Sequence, residues 1–218
     1  MYQPKPKPRY NKQKKYGKKS YYAPAYTRAT VYKSPSLLNE DLDPNDYKVT
    51  DTQINGNAIT SSGSVFSMLS SLAPGTGGYS SFIGNKINPV GMNLNWEVVI
   101  ADTTNIMRLV LFQWFDASTP VPSGILQGNA LSTVNFTNRE NIKILRDELV
   151  SFAILATGGS NIASGKWYVK SKRMTPIQYN IGTSTFQKGS LYLLCISDSA
   201  VPSYPTLSFY SRVTFLDS

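Results

Sequence analysis

From Tyr47 to the last residue, short runs rich in Val, Ile, Tyr, Phe and Thr alternate with clusters of Gly, Asn, Ser and Pro. That alternation is the grammar of strands and turns. No long segment repeats its apolar residues every 3.6 positions, so helices are confined to short turns in loops. Eight strands are expected, near Tyr47–Ile54, Ser64–Leu72, Val90–Ile100, Ile106–Asp116, Ile142–Thr157, Lys166–Tyr179, Ser190–Ser197 and Thr206–Leu216. Turn-rich stretches separate them, such as Pro74-Gly75-Thr76-Gly77-Gly78, Gly158-Gly159 and the 202–205 segment. Eight strands in about 170 residues, with long connections near 73–89 and 117–141, predict an all-β eight-stranded sandwich with Greek-key crossovers, a jelly roll. The runs Leu109-Val110-Leu111-Phe112 and Leu191-Tyr192-Leu193-Leu194 have no polar face and read as strands covered on both sides. Leu111 is expected in the core, and neighbouring subunits are one source of the extra cover.

Residues 1–33 cannot contribute to that sandwich. They contain ten basic side chains (Lys5, Lys7, Arg9, Lys12, Lys14, Lys15, Lys18, Lys19, Arg28 and Lys33) and no acidic one. Pro4, Pro6, Pro8 and Pro24 break any regular structure there, and the lysines repel one another. The whole chain carries a net charge of +9, with 22 basic and 13 acidic residues. Outside the first 33 residues, twelve basic face thirteen acidic side chains, a net of −1. The expected organisation is a disordered basic arm over 1–35, an acidic linker over 36–46 and a jelly-roll domain over 47–218.

Seven of the fourteen tyrosines also lie in the arm, at 2, 10, 16, 21, 22, 26 and 32. Cations interleaved with rings suit single-stranded nucleic acid, because the charges neutralise phosphates and the rings stack on unpaired bases. The stretch from Lys12 to Lys19 also fits a nuclear localisation signal read by host import receptors. A merely solubilising tail is the plainer reading. The acidic stretch Glu40-Asp41-Leu42-Asp43-Pro44-Asn45-Asp46 reads as a solvated, turn-forming linker; the sharper readings are a calcium site or a resting place for the arm.

Absences narrow the function classes. The chain has no histidine, which removes most general-base, triad and zinc chemistry. Cys195 is the single cysteine; its apolar strand setting makes it a small core residue rather than a nucleophile. Asp147 and Glu148 are adjacent, so in a strand they point to opposite faces and form no catalytic pair. The glycines at 75, 77 and 78 lack the lysine and helix of a phosphate-binding loop. No enzyme activity, cofactor or metal is expected. No apolar segment follows Met1 and no run approaches the ~18 residues of a membrane span, so membrane insertion is not expected either. The sequon at Asn135 then reads as a chance match.

Within the body, period 2 in Lys166–Arg173 places Lys166, Tyr168, Lys170 and Lys172 on one strand face, with Trp167, Val169 and Ser171 on the other. Lys166, Lys170 and Lys172 are therefore candidate phosphate ligands on an inner surface, against the alternative of an ordinary solvated face. Trp96, Trp114 and Trp167 are read as core or interface packing.

Several patterns occur in the order shown by the single-jelly-roll coat proteins of small circular, replication-initiator-encoding single-stranded DNA viruses, the circovirus-like group. Val65–Leu72 followed by Pro74-Gly75-Thr76-Gly77 resembles that family's early strand and glycine turn. Ile83-Gly84-Asn85-Lys86-Ile87 is similar to its "IGNKI" turn. Asn105–Trp114 resembles its "N-x-x-R-x-V-L-F-Q" strand, and Ile144-Leu145-Arg146-Asp147 its "VLRD" segment. With the basic arm, the resemblance spans nearly the whole chain. It departs at Phe82, where relatives commonly carry an arginine, so no genome contact carries over to that position.

The resemblance implies a capsid protein that self-assembles into a T=1 icosahedral shell of about 60 copies. It implies a single-stranded genome as partner, DNA rather than RNA, with the protein found in the virion and in the host nucleus and cytoplasm during assembly. Two rivals remain. A non-capsid single-stranded nucleic-acid-binding protein would spread aromatics and bases over the folded body. A jelly-roll carbohydrate-binding module would have no use for a cationic arm.

Overall fold

Strand pairing accounts for most of the backbone hydrogen bonding in the computed structural model, which describes residues 47–75, 78–100, 106–152, 161–180, 183, 185–200 and 202–217. The strands are β1 (Lys48–Ala58), β2 (Ser64–Ser67), β3 (Ala73–Pro74), β4 (Ser81–Phe82), β5 (Lys86–Val99), β6 (Ile106–Trp114), β7 (Ile142–Ser151), β8 (Ile162–Lys170), β9 (Ile177–Tyr179), β10 (Phe186–Lys188), β11 (Ser190–Ser197) and β12 (Thr206–Asp217). One helical turn, α1 (Pro122–Ile125), and two 3-10 turns are the described helical segments.

Two antiparallel sheets face each other. The first runs β1-β12-β5-β8, with β9 pairing β5 past the end of β8 and β10 pairing β9. The second runs β2-β11-β6-β7. Following the eight long and paired strands along the chain, every connection crosses from one sheet to the other except β6 to β7. That nesting is the jelly roll. The small β3–β4 pair closes the connection between β2 and β5.

Period-2 alternation sends Met92, Leu94, Trp96 and Val98 of β5 and Leu207, Phe209, Val213 and Phe215 of β12 into the space between the sheets. They meet Leu109 and Leu111 of β6 and Leu191, Leu193 and Cys195 of β11. Leu111 and Cys195 are both fully buried there, and burial pushes the Cys195 thiol well above its ordinary pKa, as an inert core residue requires. All three tryptophans are buried, Trp96 meeting Trp167 edge-on with ring centroids 6.2 Å apart.

The double-sided burial of β6 and β11 has an internal cause rather than the neighbouring subunits invoked as one source of extra cover. Val110, Phe112, Trp114, Tyr192, Leu194 and Ile196 face away from the first sheet and pack under Ile125, Leu126 and Ala130. Those three belong to the β6–β7 connection, which folds back over its own sheet.

Two strand expectations need correction. The strand read as Lys166–Tyr179 ends at Lys170. A 3-10 turn over Ser171–Arg173 follows, and β9 resumes at Ile177 after Pro176, which has no N–H to continue a ladder. The strand read as Ser64–Leu72 ends at Ser67, where the chain turns; the Leu72 amide donates to the Leu69 carbonyl at 3.1 Å. Met68, Leu69 and Leu72 are buried all the same, so their apolar character reflected core contact rather than strand. Of the strand read as Ile142–Thr157, β7 covers the part up to Ser151; residues 153–160 lie outside the described residues. No described helix is long and apolar enough to cross a membrane.

Candidate nucleic-acid interface

The ten basic residues of the arm, from Lys5 to Lys33, lie outside the described residues, as do the acidic stretch Glu40–Asp46 and Asp102. Residues 47–218 hold all twelve remaining bases but nine acids (Asp51, Glu97, Asp102, Asp116, Glu140, Asp147, Glu148, Asp198 and Asp217), a net of +3. The near-neutrality of residues 34–218 thus conceals a basic body and an acidic segment ahead of it.

Much of this positive charge gathers along one edge. β8 pairs with β5 from Ile162↔Val99 to Lys170↔Gly91, and no described strand pairs with its other side. Trp167 and Val169 are buried, whereas Lys166, Tyr168 and Lys170 are exposed on the outer face of the first sheet, as the alternation requires. Lys172 does not share that face by strand geometry. It sits with Arg173 in the 3-10 turn that ends β8, so the row is two lysines long and the turn adds two further exposed cations. None of Lys166, Lys170, Lys172 and Arg173 joins the ion pairs of the described residues, which are Lys48–Asp217, Arg108–Asp147 and Arg212–Asp51.

Tyr168 is positioned by a glycine. A Cβ at Gly91 would stand 3.3 Å from the Tyr168 hydroxyl oxygen and 3.5 Å from ring atom Cε2. The ring therefore leans over β5 into space that a side chain at 91 would fill, while 40% of the residue stays open to solvent. Across the same face run Asn93, Asn95 and Glu97 of β5, Ser208, Tyr210 and Arg212 of β12, and Asp51, Gln53 and Asn55 of β1. A shallow groove crosses the four strands, lined among others by Gln53, Asn95, Glu97, Lys166 and Tyr210.

At the far side of the face, the charges are already committed. Arg212 donates two hydrogen bonds to the Asp51 carboxylate, both at 2.8 Å, and the Tyr210 hydroxyl donates to it at 2.6 Å. The Arg212 contact leads in holding the Asp51 carboxyl below the usual carboxylate range. On this face Lys166 and Lys170, outside the ion pairs of the described residues, therefore lie at the β8 edge, beside an exposed ring. The signal that marks this edge in the sequence is a stretch from Leu149 to Ser197 without one acidic residue, containing Lys166, Lys170, Lys172, Arg173 and Lys188.

The motif residues serve the fold. Arg108 pairs with Asp147 through two hydrogen bonds, at 2.8 and 2.7 Å. Its remaining nitrogen donates to the carbonyls of Ala130 and Ser132 in the β6–β7 connection. Gln113, fully buried, donates to the carbonyls of Thr175 and Gly189 and accepts from the Thr175 amide. Gly84 turns the chain with φ of 87°, and the Asn85 carbonyl then accepts from the Tyr179 amide at 2.7 Å. Phe82 is buried and stacks on Tyr179 at 4.2 Å between centroids, so position 82 serves the core. Glu148 accepts from the Trp167 indole N–H at 2.7 Å while Asp147 holds Arg108; the two adjacent carboxylates do point to different partners. Asn135 of the sequon is occupied, donating to the Ser123 carbonyl and accepting from the Thr137 amide.

No family model and no curated protein matches the chain. Among solved structures, a chain of Desmodium yellow mottle tymovirus is similar with a TM-score of 0.40 and 12% identity, over 79% of this chain and 86% of that one.

Proposed function

We propose that this chain is a viral coat subunit, which assembles with copies of itself into a small closed shell and retains a single-stranded genome through its cationic arm. The observation that carries the reading is the joining of a complete two-sheet jelly roll to a segment of ten bases without an acid. Jelly rolls serve capsids, lectins and cupins. A cupin needs metal-binding histidines, and this chain has none. A lectin gains nothing from a polycationic arm, whereas a shell gains a means of condensing a polyanion inside it.

Self-association has surfaces to use. The β6–β7 connection covers its own sheet and still leaves Val121, Leu131 and Phe136 more than half exposed. The ordered resemblance of the Ile83–Ile87, Asn105–Trp114 and Ile144–Asp147 segments to circovirus-like coat proteins favours a DNA genome, a T=1 shell of about 60 subunits and a place in the host nucleus and cytoplasm during assembly. Electron microscopy of the purified full chain tests the proposal: uniform closed particles are expected. A monomer, or open and irregular aggregates under all salt conditions, would overturn it in favour of a non-capsid nucleic-acid-binding protein.

A further inference from the structure

We infer that the β8 edge of the first sheet is a base-stacking site for single-stranded nucleic acid. In it Tyr168 is the platform, and Lys166 and Lys170 hold the phosphates on either side of the stacked base. The inference rests on the proposal that this protein carries a genome and adds to it a defined contact on the folded body.

Four observations converge. The Tyr168 ring is exposed and leans over β5 in the room that Gly91 leaves. Its two same-face neighbours along the strand are both lysines without an ion-pair partner among the described residues. Their Cα atoms are about 13 Å apart, from four residues of strand. The flexible four-carbon stems let both ammonium groups swing toward a backbone that flanks the ring. Finally, β8 is an edge strand, and Lys172 and Arg173 prolong the positive track past its end. An exposed aromatic flanked by cations on an open sheet face is how sequence-tolerant single-strand binders divide the work, stacking on bases and neutralising the backbone.

Charge sets the occupant. From Leu149 to Ser197 this part of the chain has no carboxylate; on the outer face Glu97 lies opposite Ser164 rather than Tyr168, and Glu148 is taken up by the Trp167 indole, whose side chain points to the other face. An acidic, base-bearing strand fits such a surface. A second copy of the body, itself net positive over residues 47–218, fits it less well.

The test uses the full chain as unassembled subunits and a single-stranded thymidine oligonucleotide carrying 5-bromouracil. At about 0.5 M salt the phosphate contacts of the arm are largely screened, and stacking supplies most of what binding remains. Tyr168→Ala should then weaken binding about 5- to 100-fold, while Tyr168→Trp retains it. Irradiation should cross-link the oligonucleotide to Tyr168. Tyr168→Phe, which keeps the ring, serves as the control that separates stacking from loss of fold. Cross-links confined to residues 1–33, with unchanged affinity in Tyr168→Ala, would overturn the inference. So would a Tyr168→Ala variant that binds normally but no longer forms particles, since the edge would then be a subunit contact. Because binding is read on free subunits, failure of shell closure and failure of this site give different results.

Discussion

Gln113 is the residue whose chemistry is most tightly accounted for. Its amide satisfies three backbone groups of the segment between β8 and β11. Replacing it with an apolar side chain of similar size leaves those groups buried without partners, each costing about 1–3 kcal/mol. Gln113→Leu should therefore destabilise the fold by about 2–4 kcal/mol, read as a lowered urea midpoint with an unchanged slope. The Asp51–Arg212 pair contrasts with it, because both side chains are substantially exposed. Its contribution should be about 0.2–1 kcal/mol. The sign in pH follows from the depressed Asp51 carboxyl: a group held below its unfolded value of about 3.9 contributes fully above that pH and loses the contribution as acid titrates the folded carboxylate. Asp51→Asn should thus lower the melting temperature slightly at pH 7, and the gap to the parent should close as the pH falls below about 4.

At the scale of elements, the decisive feature is the β6–β7 connection. It carries Ile125, Leu126 and Ala130 onto the outer face of β6 and β11, and Arg108 fastens it there through the Ala130 and Ser132 carbonyls. Arg108→Met keeps the apolar stem but frees those carbonyls and leaves Asp147 without its partner. The expected result is faster amide hydrogen exchange across Leu126–Val134, with a loss of about 1–3 kcal/mol in stability and little change in exchange within β5 and β12. The eight sandwich strands were legible in the sequence because strand grammar is local: β-branched and aromatic runs end at Gly, Pro, Asn and Ser. The cover over Val110 and Phe112 was not legible. An apolar run records only that both faces are dry, and whether a loop or a second subunit dries them depends on where a distant segment folds back. The same limit explains the overlong strands. Met68, Leu69 and Leu72 are as apolar in a buried turn as in a ladder, and Lys172 continues the alternation of β8 into a turn that no longer obeys it. For the candidate site, Lys166, Tyr168 and Lys170 were legible from period 2 alone, whereas Gly91 was not, since its role appears only when β5 and β8 are paired.

For the whole molecule, the question is how the cationic load is divided between arm and body. The arm holds ten bases and residues 47–218 a net of +3, with Lys166, Lys170, Lys172 and Arg173 of the β8 edge outside the ion pairs of the described residues. If each engaged base neutralises one phosphate, log K falls against log salt by about 0.7 per contact on a single strand, and ten arm contacts set a limit near −7. Reversing Lys12, Lys14, Lys15, Lys18 and Lys19 to glutamate brings the arm from ten positive charges to none net. That variant should bind oligonucleotide with a much flatter salt dependence and yield shells empty of genome. The same reversal at Lys166, Lys170 and Lys172 removes three contacts at most, so its slope should fall by about 2 and its particles should still contain nucleic acid. A salt titration of single-stranded oligonucleotide binding to unassembled subunits compares the two directly. Should the body variant abolish binding while the arm variant leaves it intact, the folded domain alone holds the genome. The ten bases of the first 33 residues would then be left with targeting as their role.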